Sequence, residues 1–194
     1  MIVITSPTAI ANETTIIHSL FEEGLTCLHI RKPDFSETAM AAFLAGIATT
    51  YSHRLVLHSQ HQLAPTYGIP GIHLTERDRT SLTDRFPQVA RYTTATHAIA
   101  TFNTLPELFE YAFLSPVYPS ISKPGYTPEH DLLKSITNRT NYQTKLIALG
   151  GITAANIRHT LESGFDDIAL LGTLWNSPKP LENFKKCQQI ALSY

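Results

Sequence analysis

The chain has 194 residues, 43% of them hydrophobic and 16% charged, which is ample material for one buried core. A formal net charge of −1 and a pI near 6.7 leave no basic field for nucleic acid and no polybasic patch for a membrane surface. The apolar runs are of strand length, far below the roughly 20 residues of a membrane span, and the two cysteines, Cys27 and Cys187, fit a reduced, cytoplasmic setting better than a disulfide framework.

The chain opens on "MIVITSPTAIANE", which begins a strand at 2–5 and has no charged segment leading into a long apolar one, so no signal peptide is expected. "NETTIIHSLFEEG" predicts a helix capped by Asn12, apolar at Ile16, Ile17, Leu20 and Phe21, and stopped at Gly24. A second strand, "TCLHI" (26–30), precedes "SETAMAAFLAGIATTY", an alanine-rich helix with Ser36 as its cap. After the strand "RLVLH" (54–58), the connection "QHQLAPTYG" contains Pro65. After "GIHL" (71–74), "RTSLTDRFP" ends at Pro87. Only short or irregular helices are expected in either place. "RYTTA" (91–95) and "YAFLS" (111–115) are strands, followed by the amphipathic "EHDLLKSIT". "KLIAL" (145–149) leads to a helix over "TAANIRHTLESG", from a Thr153 cap to Gly164. "DIALL" (167–171) leads to the C-terminal helix "LENFKKCQQIALSY".

Eight strands alternate with helical stretches, and "FEEGLTCLHI", "TYGIPGIHL" and "LESGFDDIALL" share one order of helix, glycine and strand. Such alternation implies a parallel sheet. Eight units imply a closed (β/α)8 TIM barrel spanning residues 1–194 as a single α/β domain, slightly shorter than the usual range of about 200 to more than 400 residues. The loops must therefore be minimal, except around 116–127.

A barrel of this kind carries its site at the C-terminal ends of the strands. Alternation puts Cys27, His29 and Arg31 on one face and Leu28 and Ile30 on the other. The apolar pair suits the helix layer, so His29 and Arg31 are expected to point into the barrel mouth. The other strand ends bring His58 and Ser59, His73 with Asp78 shortly after, Thr94 to His97, and Ser115. These histidines come one to a strand, with no HxH pair or HExxH helix, so a zinc ligand set is not the favoured reading. "LIALGGITAANI" places Gly150 and Gly151 between a buried strand and a helix start, where backbone N–H groups can approach an anion. "IALLGTLW" does the same with Gly172 and Thr173. Paired turns of this type after strands seven and eight point to a phosphate monoester. The long loop "SPVYPSISKPGYTPE" adds Ser120, Ser122 and Lys123, suited to a second anionic group.

"LHIRK", "LVLHSQHQLA", "GIHLTERD", "TTATH", "SPVYPSISK", "IALGGIT" and "GFDDIALLGTL" fall in the order and spacing of the thiamine phosphate synthase family, which includes the thiazole tautomerases. The chain resembles that family over essentially its whole length. The resemblance implies a (β/α)8 barrel that couples a hydroxymethylpyrimidine pyrophosphate to a thiazole phosphate with release of pyrophosphate. It gives Arg31 and Lys123 to the pyrophosphate, Ser120 and Ser122 as hydroxyl donors, Gly151 and Gly172 to the thiazole phosphate, and Asp78 to magnesium. The chain departs from the synthase pattern in four places. His58-Ser59 replaces an Asn-Asp pair, so one magnesium carboxylate is missing. Ala95 replaces a hydroxyl, and Pro33 replaces a lysine for which Lys32 is the available substitute. His29 replaces a glutamine and is closer to the tautomerases, whereas the tautomerase proton-transfer histidine corresponds to Pro116.

These departures favour a thiazole tautomerase-like isomerase, with His29 transferring the proton, His97 as runner-up, and Arg31 keeping His29 unprotonated. The alternative is a thiamine phosphate synthase with relaxed magnesium ligation. A further alternative is a non-catalytic protein that retains the phosphate cup. The expected partners are small molecules, a thiazole phosphate and, for the synthase, a pyrimidine pyrophosphate; the sequence leaves open whether the chain forms a homo-oligomer.

Overall fold

The computed structural model describes residues 1–80, 86, 88–121, 125, 127 and 131–194. Eight parallel strands close on themselves in chain order: β1 (Ile2–Ile4), β2 (Cys27–Ile30), β3 (Leu55–Leu57), β4 (Gly71–Leu74), β5 (Arg91–Thr96), β6 (Phe109–Leu114), β7 (Lys145–Ala148) and β8 (Asp167–Leu170). Pairing of Val3 with both Leu28 and Leu170 joins β1 to its two neighbours and shuts the barrel.

Around it, among the described residues, run α1 (Glu13–Glu22), α2 (Glu37–Ala45), α3 (Ala48–Tyr51), α4 (Glu76–Thr80), α5 (Ile99–Asn103), α6 (Leu132–Ser135), α7 (Ile157–Glu162), α8 (Gly172–Trp175) and α9 (Pro180–Leu192). Between β3 and β4 only a 3-10 turn, His61–Leu63, forms, as the proline-bearing connection predicts. Ser36 caps α2 by accepting from the Ala39 N–H. Asn12 does not cap α1: it adopts the left-handed conformation (φ 57°) and makes no capping bond, a backbone role open to asparagine. No helix among the described residues is long and apolar enough to cross a membrane.

Period-two alternation sorts the strand residues into two cores. Leu28, Ile30, Leu55, Leu57, Ile168 and Leu170 face the helices, each burial contributing about 1.5–3 kcal/mol. Ile2, Ile4, Cys27, Val56, Tyr111, Phe113, Ile147 and Ala169 fill the barrel interior. Between β8 and β1 the seam is pinned from above by Trp175, whose indole N–H donates to the Ile4 carbonyl at 2.7 Å.

Candidate active site

A cavity of about 410 Å³ opens at the C-terminal ends of the strands. Its β7–β8 side is built from backbone. Gly150 and Gly151 take φ of 99° and 65°, and both are packed against the segment after β6. A Cβ on Gly151 would lie 2.5 Å from the Pro119 carbonyl oxygen, and one on Gly150 would lie 2.8 Å from the Pro116 Cα. Only glycine satisfies both the dihedral and the space. The Tyr118 N–H donates to Gly150 O at 3.1 Å, so this close approach is a bonded one. Thr173 ties the two turns together, its hydroxyl donating to the Ile152 carbonyl.

Thr153 is not the cap of the following helix. Asn156 takes that place, its side-chain oxygen accepting from the Thr153 N–H (2.8 Å) and its amide donating to Gly151 O (3.0 Å). The helices behind the turns have six and four residues, so anion binding here would come from local N–H groups rather than from a long helix dipole. Gly150, Gly151, Gly172 and Thr173 all line the cavity.

Side chains build the opposite side. Arg31 reaches the cavity as its strand position requires, and so do His58 and His73. His29 does not. It faces the barrel axis but lies fully buried beneath the cavity, because its position in β2 is level with Ile4 and Val56 of the interior core. Its Nδ1 pairs with His58 Nε2 at 2.8 Å and its Nε2 with the Tyr111 hydroxyl at 2.7 Å, which in turn contacts Cys27 Sγ at 3.3 Å. His73 Nδ1 pairs with the Thr93 hydroxyl at 2.8 Å. The rings of His58 and His73 stack at 4.1 Å.

Burial holds all three imidazoles below their ordinary pKa, His73 at about 3, so they are neutral at physiological pH. Arg31 contributes to this at His58 and His73 but not at His29, where His73 and Arg91 are the lesser causes after burial. Burial, together with neighbouring Cys27, likewise raises the Tyr111 phenol.

The other expected residues divide. Lys32 turns away from the mouth and is fully buried, with its ammonium 2.6 and 2.8 Å from the Glu13 carboxylate oxygens. It cannot replace the lysine missing at Pro33, because the strand's alternation sends it to the helix layer. Asp78 accepts from the Thr75 hydroxyl at 2.6 Å and is not among the cavity-lining residues, whereas its neighbours Thr75 and Glu76 are. Ser120 and His97 line the cavity, and His97 Nδ1 is held by the Ser115 carbonyl at 2.7 Å. Ser122 and Lys123 lie outside the described residues. Tyr111 and Thr93 were not singled out from sequence. The inward alternation of Tyr111 with Phe113 on β6 was the available signal.

The family model described as "Thiamine monophosphate synthase" matches residues 1–174. A thiamine-phosphate synthase of Streptococcus suis is 23% identical over 180 residues, covering 88% of this chain and 78% of that protein. One from Listeria welshimeri is 23% identical over 177 residues, covering 82% and 83%. The crystal structure of a thiamine phosphate pyrophosphorylase from Bacteroides thetaiotaomicron superposes with a TM-score of 0.80 at 30% identity, covering 98% of this chain and 96% of that one.

Proposed function

Because this chain belongs to the thiamine monophosphate synthase family, we propose that it is a transferase of the synthase type, joining a pyrimidine pyrophosphate to a thiazole phosphate and releasing pyrophosphate. The observation that carries this reading is that one cavity is lined both by glycine turns and by a guanidinium, two features each suited to an anion. The glycine turns of β7 and β8 face one side, and Arg31 enters from the other. Two phosphorylated substrates need two such places, and an isomerase acting on one phosphate needs only the first. Arg31 is suited to the leaving pyrophosphate, since a guanidinium offers several fixed donors to phosphate oxygens and stabilises charge as it develops.

The thiazole tautomerase expectation finds no support in the relatives described above, which are named as thiamine-phosphate synthases and a thiamine phosphate pyrophosphorylase. The burial of His29 beneath the cavity also removes it from direct contact with a substrate. Nor do the described residues build a resident magnesium site. Asp78 lies off the cavity lining and accepts from the Thr75 hydroxyl, Glu76 pairs with Arg79 at 3.3 Å, and the Ser59 hydroxyl, at the position of the missing carboxylate, is buried without a hydrogen-bond partner.

The test is a pyrophosphate-release assay with both substrates. Wild-type protein is expected to turn over, and Arg31→Ala to lower kcat/KM by roughly 10²–10³ with an unchanged thermal midpoint. Absence of wild-type turnover, or an Arg31→Ala variant of full activity, overturns the reading.

A further inference from the structure

We propose that His29, His58 and His73 form a binding site for a late first-row divalent metal ion of the zinc(II) or cobalt(II) class in the floor of the mouth cavity. The three imidazoles come from the adjacent strands β2, β3 and β4, and one ring nitrogen of each lies within 4.8 Å of the other two. Pairing of β2 with β3 and of β3 with β4 gathers them although the sequence spreads them over 45 positions, from 29 to 73. Nitrogen donors favour zinc, cobalt and nickel over magnesium, which takes oxygen ligands. The site shares no residue with the carboxylates considered for magnesium above.

The outer nitrogens of His29 and His73 are anchored as metal-binding histidines require. The Thr93 hydroxyl donates to the Ile72 carbonyl at 3.3 Å, so it accepts from His73 Nδ1–H and leaves the Nε2 lone pair of His73 available. The Tyr111 hydroxyl holds His29 Nε2, turning Nδ1 towards His58. Burial keeps the three rings unprotonated, the form that ligates. His58 and His73 line the cavity, which gives the ion an entry path and leaves a fourth position for water or substrate, as in open zinc sites.

Metal entry requires a defined rearrangement. His29 Nδ1 and His58 Nε2 share one proton across 2.8 Å. A tetrahedral ion about 2.0–2.1 Å from each nitrogen needs them roughly 3.3–3.4 Å apart. The pair must therefore open by about half an ångström, and the shared proton must pass to an outer nitrogen of the same pair, the ring remaining neutral. His58 is the ring able to move, being the least buried of the three. It has to leave its stack on His73. The charge of Arg31 nearby opposes the ion, so micromolar rather than tighter affinity is expected.

Cobalt(II) titration of the full-length, chelator-treated protein, followed by visible absorption, tests the site. The expected result is one ion per chain with the intense bands of tetrahedral coordination, displaced by zinc(II) and unaffected by excess magnesium. His58→Gln and His73→Gln are each expected to abolish the bands. Tyr111→Phe is expected to weaken binding roughly 10–100-fold, and His97→Gln, on the cavity wall outside the cluster, to leave binding intact. Circular dichroism checks folding of each variant. Should a histidine variant fail to fold, imidazole NMR of the wild-type protein with zinc decides, the rings of 29, 58 and 73 being the ones expected to shift. No tetrahedral spectrum in folded wild-type protein, a spectrum that survives both substitutions, or zinc-induced shifts at other histidines overturns the proposal.

Discussion

The two sides of the cavity are built from different materials. On the β7–β8 side the surface is main chain, made possible by glycines pressed against Pro116 and Pro119, and Thr173 spends its hydroxyl on the Ile152 carbonyl rather than on the cavity. On the β2–β4 side the surface is Arg31, His58 and His73, supported from behind by His29, Tyr111 and Thr93. A backbone surface tolerates no added atom and is indifferent to pH. A side-chain surface can change identity freely but depends on the packing and protonation of what stands behind it.

The largest expected effect lies behind the side-chain wall. Lys32, next to Arg31, is enclosed with Glu13, and its ammonium stands 5.5 and 5.3 Å from the ring centres of Phe35 and Phe43. Burial pushes the Glu13 carboxyl up and Lys32 pulls it back. Lys32→Ala leaves that carboxyl enclosed without its partner and should cost about 3–5 kcal/mol in urea denaturation. The double change Glu13→Leu with Lys32→Met should recover most of the loss. If Lys32→Ala instead left stability intact, the side-chain wall would not depend on packing in the way described.

Next comes the backbone wall. In Gly151→Ala, a left-handed alanine costs about 1–2 kcal/mol and the clash with Pro119 and Tyr118 about 1–3 kcal/mol more. Calorimetry should show phosphate-ester binding lost with only a partial fall in thermal midpoint. Retained binding would mean that the cup can deform.

The third prediction separates the two walls by acid. In the folded, metal-free protein the pKa values of His29, His58 and His73 are depressed, while in the unfolded chain they return to about 6.5. The unfolded chain therefore binds more protons below that pH. Stability should be fully present above about pH 6.5 and fall as pH drops, by up to ~1.4 kcal/mol per pH unit for each histidine, with the contribution of His73 persisting towards its folded value of about 3. Denaturant midpoints between pH 7.5 and 5, measured with chelator present, give the slope. Replacing His73 with Gln should make it shallower, whereas Gly151→Ala should leave it unchanged.

The contrast also explains what could be read from the sequence. The glycine turns are local: two adjacent residues after a strand specify the conformation, so Gly150, Gly151 and Gly172 were legible, as were all eight strands. Thr153 was misread as a helix cap because the helix starts only at Ile157, with Asn156 at the N-cap position and its side chain turned back onto the Thr153 N–H and the Gly151 carbonyl. The imidazole cluster is not local. One histidine per strand carries no spacing signal, and only the register of the paired strands β2, β3 and β4 brings the rings together. Lys32 was read as the available substitute for the lysine missing at Pro33, yet alternation sends Arg31 to the cavity and Lys32 into the helix layer. That separation was derivable from the period of two, but an enclosed lysine needs Glu13, nineteen positions away, to make it tolerable.

Trp175 is the chain's single tryptophan. It sits at the end of α8, one helical turn from Gly172, with its indole N–H bonded to the carbonyl of Ile4 across the β8–β1 seam. Its fluorescence is therefore a built-in, label-free optical reporter of both barrel closure and occupancy of the neighbouring turn, and excitation of this one chromophore follows ligand arrival and unfolding in the same cuvette.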